Sequence, residues 1–255
     1  MSGAAMSDPY ERSAEYLDIL IAESWEPLAP ALADALSNVR ARTGAVVDLG
    51  AGSGRGVRVI CDALPQTPVL AVEPSAAMRA VLLARVHEAD ELRERVTVVP
   101  GDCAGVDWPD GVRAVVALNM IGHLPPGQRR ALWGRAARQL APGGALVFNL
   151  APPFTPVEVE RVRTARVVVG ELEYEGWASA RPTGADEITW RMDYGVLRQG
   201  RPLAGASVEY RWWVTTEGAL AAEVAEAGLV LRRTGDSGLG LCVLERVSDP
   251  ASQVG

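Results

Sequence analysis

Apolar residues recur along this chain with two different periods, and the change from one period to the other divides the sequence. Between residues 45 and 150, short apolar runs alternate with segments whose apolar residues return every three or four positions. These patterns are typical of buried strands and of helices with one buried face. Between residues 166 and 215, apolar and aromatic residues occupy alternate positions, which indicates antiparallel strands with one buried face.

Five apolar runs predict the strands of a sheet that is interleaved with helices. The i, i+3, i+4, i+7 pattern that starts at Val57 predicts a helix directly after the first strand. Ser75 is a plausible cap for a second helix, and Pro142-Gly143-Gly144 ends a later one. The strands are predicted at residues 45–47, 68–72, 96–99, 112–118 and 145–150.

The two ends of the chain add further elements. Residues 10–39 carry a helical apolar pattern that Pro27 and Pro30 interrupt, so two or three helices are expected before the sheet. A helix that starts near Leu220 ends at Gly228, and residues 230–233 and 239–246 then predict a closing hairpin. No internal repeat is present.

These elements predict an α/β protein with an inserted unit. We expect a helical cap over residues 1–40, a ligand-binding α/β domain over residues 41–154 and 215–247, and an antiparallel insertion over residues 155–214. The first eight residues and residues 248–255 are expected to be disordered.

Composition limits the partners that the protein can have. The chain has 25 basic and 32 acidic residues and a net charge of −7. All 25 basic residues are arginine, because the sequence contains no lysine. This balance disfavours nonspecific binding of nucleic acid or of an anionic membrane, so neither is an expected partner, while a homo-oligomer stays possible.

The cysteines and the N-terminus indicate a cytoplasmic protein. Cys61, Cys103 and Cys242 are odd in number and form no C-x-x-C pair, so neither a disulfide framework nor a structural zinc site is expected. The first residues lack the pattern of a signal peptide, and no apolar run is long enough for a membrane span.

A glycine-rich segment between the first strand and the first helix of the sheet is the strongest sign of a ligand. It reads Asp48-x-Gly50-x-Gly52-x-Gly54. A phosphate-binding P-loop requires a lysine that this chain lacks, and the dinucleotide motif G-x-G-x-x-G has no glycine at its third position in any register. The dinucleotide motif is weakened rather than excluded, and a glycine turn without a ligand is the remaining alternative.

The sequence resembles the class I methyltransferases that use S-adenosyl-L-methionine (SAM). The resemblance rests on the glycine segment, on an acid after each of the next two strands (Glu73 and Asp102), on the loop at Asn119, and on Leu140-x-Pro142-Gly143-Gly144. It implies a Rossmann-like α/β fold: a seven-stranded mixed sheet with N-terminal helices and an antiparallel β insertion between strand 5 and the last helix.

The resemblance also implies a set of cofactor-binding residues. SAM carries a sulfonium, an amino-acid head, a ribose and an adenine but no phosphate, so carboxylates and close backbone suit it. Each residue has a structural alternative: Asp48 and Asp102 could cap turns, and Met78 could belong to the core. Ile121 could face the adenine opposite Met78. The cofactor-binding residues are predicted to be Asp48, Gly50, Ala51, Gly52, Glu73, Pro74, Met78, Asp102, Cys103, Asn119 and Met120.

His123 is the candidate catalytic residue. The segment Ile121-Gly122-His123 resembles a stretch of sugar amine N-methyltransferases in which the histidine lies in the acceptor pocket. A neutral imidazole can take a proton from an acceptor hydroxyl or ammonium. The alternative is a histidine that only packs or caps the next helix.

Aromatic residues of the insertion could form a cover over the acceptor. The alternative is that they form the core of the small sheet. Tyr10 could close the cofactor site from the N-terminal side. The predicted substrate-binding residues are Tyr16, Trp177, Trp190, Tyr194, Tyr210 and Trp212.

The predicted function is methyl transfer from SAM to a small natural-product, amine or hydroxyl acceptor, without a metal and with S-adenosyl-L-homocysteine as product. The resemblance argues against nucleobase amino methyltransferases and metal-dependent catechol-type enzymes, whose motifs are absent after Asn119 and Asn149. A SAM-using cyclase or lyase and, more distantly, an NAD(P)-dependent oxidoreductase are the alternatives.

Overall fold

The computed structural model describes residue 8 and residues 10–247, with Ser237 described through its backbone only. Within these residues it contains two β-sheets and seven α-helices. The helices are α1 Ala14–Leu20, α2 Ala22–Ser37, α3 Arg55–Ala63, α4 Ala76–Glu88, α5 Asp90–Arg93, α6 Pro126–Gln139 and α7 Glu217–Glu226. The strands are β1 Val46–Leu49, β2 Val69–Glu73, β3 Val96–Pro100, β4 Val112–Ala117, β5 Leu140–Asn149, β6 Val159–Val169, β7 Leu172–Pro182, β8 Glu187–Arg198, β9 Arg201–Trp213, β10 Leu229–Arg233 and β11 Leu241–Arg246. The expected disorder of residues 1–8 and 248–255 concerns residues that, apart from residue 8, lie outside the described part.

Seven strands form a mixed sheet in the order β3-β2-β1-β4-β5-β11-β10. Strand β1 pairs in parallel with both β2 and β4, whereas β11 runs antiparallel to both of its neighbours. The predicted α/β fold with an antiparallel edge is confirmed. The strand order reverses between β1 and β4, and open sheets of this kind bind ligands beyond the carboxyl ends of the strands at such a point.

Helices cover both faces of this sheet, which explains the continuous apolar runs in the sequence. Val46 of β1 belongs to the core that α2, α3 and α4 cover, and its neighbour Val47 belongs to the core beneath α6 and α7. Successive side chains of a strand point to opposite faces, so a strand that is covered twice must be apolar at every position. The sheet is therefore a rigid platform for the loops at its carboxyl edge.

Helix α2 corrects the prediction that Pro27 and Pro30 interrupt the N-terminal helical segment. The helix runs unbroken through both prolines. The two prolines and Glu23 and Glu26, whose carbonyls lose their usual donors, are all exposed, so water can satisfy those carbonyls. The opposite side of α2 packs Leu32 and other apolar residues into the core, and that burial outweighs the loss of two hydrogen bonds.

Two strand boundaries also differ from the sequence-based prediction. Strand β5 begins at Leu140 rather than at residue 145, because Leu140 pairs with Val112 across an irregularity in the ladder. The first strand of the antiparallel insertion begins at Val159, inside the predicted insertion of residues 155–214 but before residue 166, where the alternating pattern starts, because β6 has only weak alternation and is mostly exposed.

Strands β6 to β9 form a separate antiparallel sheet in sequence order, as the alternating pattern predicted. Helix α1 packs on one face of this second sheet, where Tyr16 and Leu20 contact Tyr194 and Val196. The second sheet also contacts the turn after β4, where a Cβ added to Gly122 would lie 1.8 Å from Cε2 of Trp212. The second sheet and α1 thus stand over the carboxyl edge of the first.

None of the helices within the described residues has both the length and the apolar character that a membrane-spanning helix requires.

Candidate functional site

A cavity of about 620 Å³ lies at the carboxyl edge of the seven-stranded sheet. Its wall comes from the loops after β1, β2, β3 and β4 and from the N-terminal segment. The volume is within the range of small-molecule and cofactor sites. Eleven residues that the sequence singled out line it together: Gly50, Ala51, Gly52, Glu73, Pro74, Met78, Asp102, Cys103, Asn119, Met120 and His123.

The glycine loop forms one wall of this cavity. Gly50 and Gly52 have φ angles of +67° and +54°, a left-handed conformation that other residues adopt only with strain. The N–H groups of Gly50 and Ala51 donate to the carbonyl of Val72 at the end of β2. The loop is thus fixed to the neighbouring strand, and its side-chain-free backbone borders the cavity.

Glu73 links the glycine loop to the loop after β2. Its Oε2 accepts a 2.8 Å hydrogen bond from the N–H of Gly52, and its Oε1 accepts a 2.8 Å bond from the N–H of Ser75. Burial raises the pKa of Glu73, while these two N–H groups act in the opposite direction. A buried carboxylate that lines the cavity can accept hydroxyl groups of a ligand such as a ribose.

Asp48 does not line the cavity but lies behind the glycine loop. Its side chain is 4% exposed, and its Oδ2 has no hydrogen-bond partner among the described residues. Burial, together with the negative charge of Glu73, raises the pKa of Asp48 to about 7. A Cβ on Gly56 would lie 3.3 Å from Oδ2 of Asp48, so glycine lets α3 begin directly against this carboxyl group. The predicted role of Asp48 in cofactor binding stays a prediction.

Asp102 caps a turn and also borders the cavity, so its position is compatible with both roles that the sequence left open, and cofactor binding stays a prediction. Its Oδ1 accepts hydrogen bonds from the N–H groups of Ala104 and Gly105, at 2.9 and 2.8 Å, and so caps the turn after β3. Asp102 is also exposed and borders the cavity. Met78, which borders it as well, is almost fully buried and packs 3.6 Å from the Cβ position of Gly52.

His123 lies on a short 3-10 turn, Ile121–His123, that follows β4. Its Nε2 is 3.0 Å from the hydroxyl of Tyr10, and its ring contacts the rings of Tyr210 and Trp212 at centroid distances of 5.2 and 4.9 Å. Burial lowers the pKa of His123 to about 4, so the imidazole is neutral near pH 7 and can accept a hydrogen bond. Burial also raises the pKa of Tyr10 far above its ordinary value, so Tyr10 keeps its proton and can donate it to Nε2.

None of the six predicted substrate-binding residues lines the cavity, and four of them have no ring contact with His123 either. Tyr16 and Tyr194 stack on each other at 5.3 Å in the core between α1 and the second sheet. Trp190 packs with Ile188 in another part of that sheet's core. Trp177 is paired with Asp193 in the ladder, on the face opposite Tyr194, beneath the guanidinium of Arg161. The positions of these four side chains favour the alternative of structural aromatics, and a role in substrate binding stays a prediction.

Tyr210 and Trp212 do not line the cavity, but their rings contact the ring of His123, which does. They belong to β9 and form the layer of rings behind the imidazole. Ile121 is 2% exposed and belongs to the core of the first sheet, so the expectation that it faces the adenine is wrong. An apolar residue in the loop after a strand gives no sequence signal that separates a core position from a cavity wall.

The sequence analysis missed an ionic cluster that joins α1 to the glycine loop. Asp18 accepts hydrogen bonds from the hydroxyl of Ser53 at 2.6 Å and from the guanidinium groups of Arg55 and Arg85 at 3.0 to 3.2 Å. Arg55 lines the cavity, but its guanidinium forms an ion pair with the carboxylate of Asp18. Asp18 resembles any exposed acid of an amphipathic helix, so its sequence position carries no signal of this role.

Trp25 and Asn149 were missed as well. Trp25 of α2 lines the cavity from the N-terminal side. Asn149, at the end of β5, is 8% exposed and hydrogen-bonds to Asn119. Within residues 10–247, no group of three or more histidine, cysteine or acidic side chains is arranged to hold a metal ion.

Residues 46–144 match a family model that is described as a methyltransferase domain. No curated protein matches the sequence. The matched segment runs from β1 into β5 and therefore contains the glycine loop, Glu73, Asp102 and His123.

Solved structures match nearly the whole chain. DesVI from Streptomyces venezuelae is 20% identical, with a TM-score of 0.74, over 92% of this chain and 98% of that one. The sugar N-methyltransferase KedS8 from Streptoalloteichus sp ATCC 53650 is 18% identical, with a TM-score of 0.73, over 97% and 96%. SAM-bound CalS10, an amino pentose methyltransferase from Micromonospora echinaspora, is 21% identical, with a TM-score of 0.72, over 97% and 100%. At these identities the similarity establishes the fold, including the inserted sheet.

Proposed function

We propose that this protein is an enzyme that transfers a methyl group from SAM to an amine of a small molecule. The premises are the match to a methyltransferase domain and the class I methyltransferase fold of the chain. The observation that carries the proposal is that one cavity joins the glycine loop and Glu73 to His123. A donor site and an acceptor site must meet in this way, because methyl transfer requires the nucleophile, the methyl carbon and the sulfur to lie nearly in line.

The charges around the cavity support a cationic cofactor. Asp8, Glu73 and Asp102 contribute carboxylates to its wall, while Arg55 is paired with Asp18. These carboxylates would repel the negative charge of a pyrophosphate, whereas an ammonium, a sulfonium and two ribose hydroxyls are complementary to them. Glu73 and the backbone of Gly50 and Gly52 are the groups that would hold SAM. When bound, SAM supplies an electrophilic methyl group, and no residue of the chain has to become methylated.

The neighbourhood of His123 supports an amine acceptor. An amine attacks only in its neutral form, and a poorly hydrated site disfavours the ammonium form, as the lowered pKa of His123 illustrates. The neutral imidazole has a single lone pair for hydrogen bonding, and in the ligand-free protein the Tyr10 hydroxyl can donate to it at Nε2. An N–H of the acceptor would take the place of this hydroxyl at Nε2, and the displaced hydroxyl would then be free to bond to the acceptor itself. The names of KedS8 and CalS10, a sugar N-methyltransferase and an amino pentose methyltransferase, support an amino sugar as the acceptor of this chain.

Calorimetry with SAM, S-adenosyl-L-homocysteine and NAD⁺, followed by incubation with paired acceptors, tests the proposal. Each pair consists of an amino sugar and the same sugar with a hydroxyl in place of the amine. We expect both SAM compounds to bind, NAD⁺ not to bind, and mass spectrometry to detect methylation of the amino sugar only. Binding of NAD⁺ alone, or formation of methylthioadenosine without a methylated product, would contradict the proposal.

A substitution at Glu73 tests the cofactor site. Glu73→Gln removes the charge that holds the Gly52 and Ser75 N–H groups and should weaken SAM binding by about ten- to hundredfold, the value of one or two charge-assisted hydrogen bonds. The matched control is Glu94→Gln, an exposed residue after α5, which should bind SAM as the wild type does.

A further inference from the structure

Asn119 is the one non-glycine residue of the cavity wall with a left-handed backbone, at φ +55°. It is the second residue after the end of β4. Asn149, at the end of the adjacent strand β5, makes two hydrogen bonds to it. The Asn119 N–H donates to Oδ1 of Asn149 at 2.6 Å, and Nδ2 of Asn149 donates to Oδ1 of Asn119 at 2.7 Å.

The left-handed residue determines where the next turn lies. After Asn119 the chain enters the 3-10 turn Ile121–His123. Met120 comes to lie against the glycine loop, where a Cβ on Gly50 would be 3.3 Å from the Cβ of Met120. Gly122 lies against the ring of Trp212. Small changes at Asn119 would therefore move the turn against both neighbours and carry His123 away from Tyr10.

Asn149 is well placed to hold this conformation. It is buried, and β5 lies between β4 and β11 in the middle of the sheet. Its amide binds both the backbone and the side chain of Asn119, and that bonding pattern requires an amide, with one acceptor and one donor. A hydroxyl or carboxylate at this position could make only part of the pattern.

We propose that Asn149 is a positioning residue for methyl transfer: it holds Asn119 in the left-handed conformation and thereby places His123 in the acceptor site. The kinetic part of this inference rests on the proposed function. Asn149 itself does not line the cavity and acts through Asn119 and the turn.

The first test compares Asn119→Gly with Asn119→Ala. Both variants remove the same side-chain amide from an exposed position, so any contact of that amide is lost equally. They differ in the cost of the left-handed conformation, which is low for glycine and higher for alanine. We expect kcat/KM for the acceptor to be about tenfold lower in Asn119→Ala than in Asn119→Gly, with the KM for SAM changed less. Equal values in the two variants would overturn the inference.

The second test introduces Asn149→Ala into the wild type and into Asn119→Gly. We expect a loss of about tenfold or more in the first background and less than about threefold in the second, because glycine adopts the conformation without help. The matched control is Asn38→Ala, which removes an exposed amide at the end of α2. Equal losses in both backgrounds would show a role of Asn149 other than positioning.

A third measurement does not depend on activity. The chain has two histidines, so ring titration by nuclear magnetic resonance, with His87→Asn for assignment, follows His123 directly. We expect its pKa to rise toward the ordinary value in Asn119→Ala and in Asn149→Ala but to stay low in Asn119→Gly. An unchanged titration in all variants would contradict the positioning role. If the wild type titrates as expected but methylates no acceptor, the proposed function fails and the positioning of His123 stands.

Discussion

At the scale of single residues, His123 has the most direct link to function. Because its pKa is lowered to about 4 by burial, it is neutral throughout the physiological range and gains a proton only well below pH 6. We expect kcat/KM for the acceptor to show no inflection from His123 between pH 6 and 8 and to fall as the pH approaches 4, where the lone pair of Nε2 is lost.

Replacement of this histidine separates its role from cofactor binding. His123→Ala should lower turnover by about ten- to hundredfold, a modest general acid-base or orienting contribution, while SAM affinity changes by only a few fold. His87, exposed at the end of α4, provides the matched control, and His87→Ala should retain full turnover. Full turnover in His123→Ala would exclude the role, whereas a pH inflection near 6.5 that disappears in His123→Ala would contradict the lowered pKa.

Asp48 gives the ligand-free protein an unusual dependence of stability on pH. Its pKa in the folded state, about 7, is above the value near 3.9 of an unfolded chain. The folded state therefore binds more protons between these values, and the contribution of Asp48 to stability is fully present below pH 4 and is lost as the pH rises through 7.

Asp48→Asn removes this titration. Relative to the wild type, the variant should gain free energy of unfolding as the pH rises from 4 to 8, by up to roughly 4 kcal/mol at 1.36 kcal/mol per pKa unit. Urea denaturation at several pH values measures the difference. Asp34→Asn, at an exposed position of α2, should show no such trend, and a constant difference between Asp48→Asn and the wild type would contradict the raised pKa.

The sequence could predict which residues line the cavity when those residues lie at the end of a strand. Glu73, Asp102 and the glycines follow strands of a parallel sheet, so the fold alone brings them to one edge. The aromatic residues were different. Alternation along β8 showed that Trp190 and Tyr194 share one face, but not whether that face meets a ligand, a helix or its own neighbours.

At the scale of elements, α1 depends on Asp18. This carboxylate binds Arg55 and Arg85, which are about one-quarter exposed. Burial acts to raise its pKa, but the hydrogen bond from Ser53 and the charges of the two arginines hold it below the ordinary range. Its stabilising contribution is therefore present at neutral pH and is lost as the pH falls toward the lowered pKa.

Asp18→Asn should loosen α1 from the glycine loop. We expect a loss of roughly 1–2 kcal/mol for a partly screened double ion pair, faster proteolysis within residues 10–21, and weaker binding of SAM. Limited proteolysis and calorimetry measure these effects, and Asp34→Asn is the charge-matched control. If the N-terminal segment is as protected in Asp18→Asn as in the control, the ion pairs do not hold α1.

Most helices and strands could be predicted because their apolar periods were strong. The errors occurred where tertiary structure outweighed a local rule. A proline such as Pro27 or Pro30 normally ends a helix. Here both prolines lie on the exposed side of α2, where water can bond to the carbonyls that lose their donors, while Leu32 on the other side stays in the core. Strand β6 could not be delimited, because its residues are mostly exposed and carry little alternation.

At the scale of the whole molecule, the two sheets meet where the turn after β4 lies against β9, and the proposed function depends on that contact. Gly122 of the turn after β4 lies against Trp212 of β9, without room for a Cβ. Gly122→Ala should force the second sheet away from the turn and lower turnover by about tenfold or more, because displacements of about 1 Å reduce catalysis strongly. SAM affinity should change less, since the glycine loop and Glu73 are unaffected.

Gly127 provides the control for this substitution. It lies in α6, where an added Cβ would meet nothing within 4 Å, and Gly127→Ala should keep full activity and slightly stabilise the helix. Steady-state kinetics of both variants with calorimetry for SAM measure the difference. Normal turnover in Gly122→Ala would show that the two sheets can separate without loss of function. The sequence could not predict this contact, because a glycine and a tryptophan 90 residues apart carry no sign of each other.

Because all basic residues are arginine, the positive charge that they contribute stays constant at moderately alkaline pH. A guanidinium keeps its proton far above pH 10, unlike the lysine amine that this chain lacks. Burial also raises the pKa of Tyr10, Tyr210 and Cys103 at the site. Above about pH 8, the ionising group to consider first is therefore the acceptor's own ammonium. A rate at subsaturating acceptor that climbs with pH in this range would identify nitrogen as the methylated atom, whereas a flat rate would argue for an acceptor without an amine.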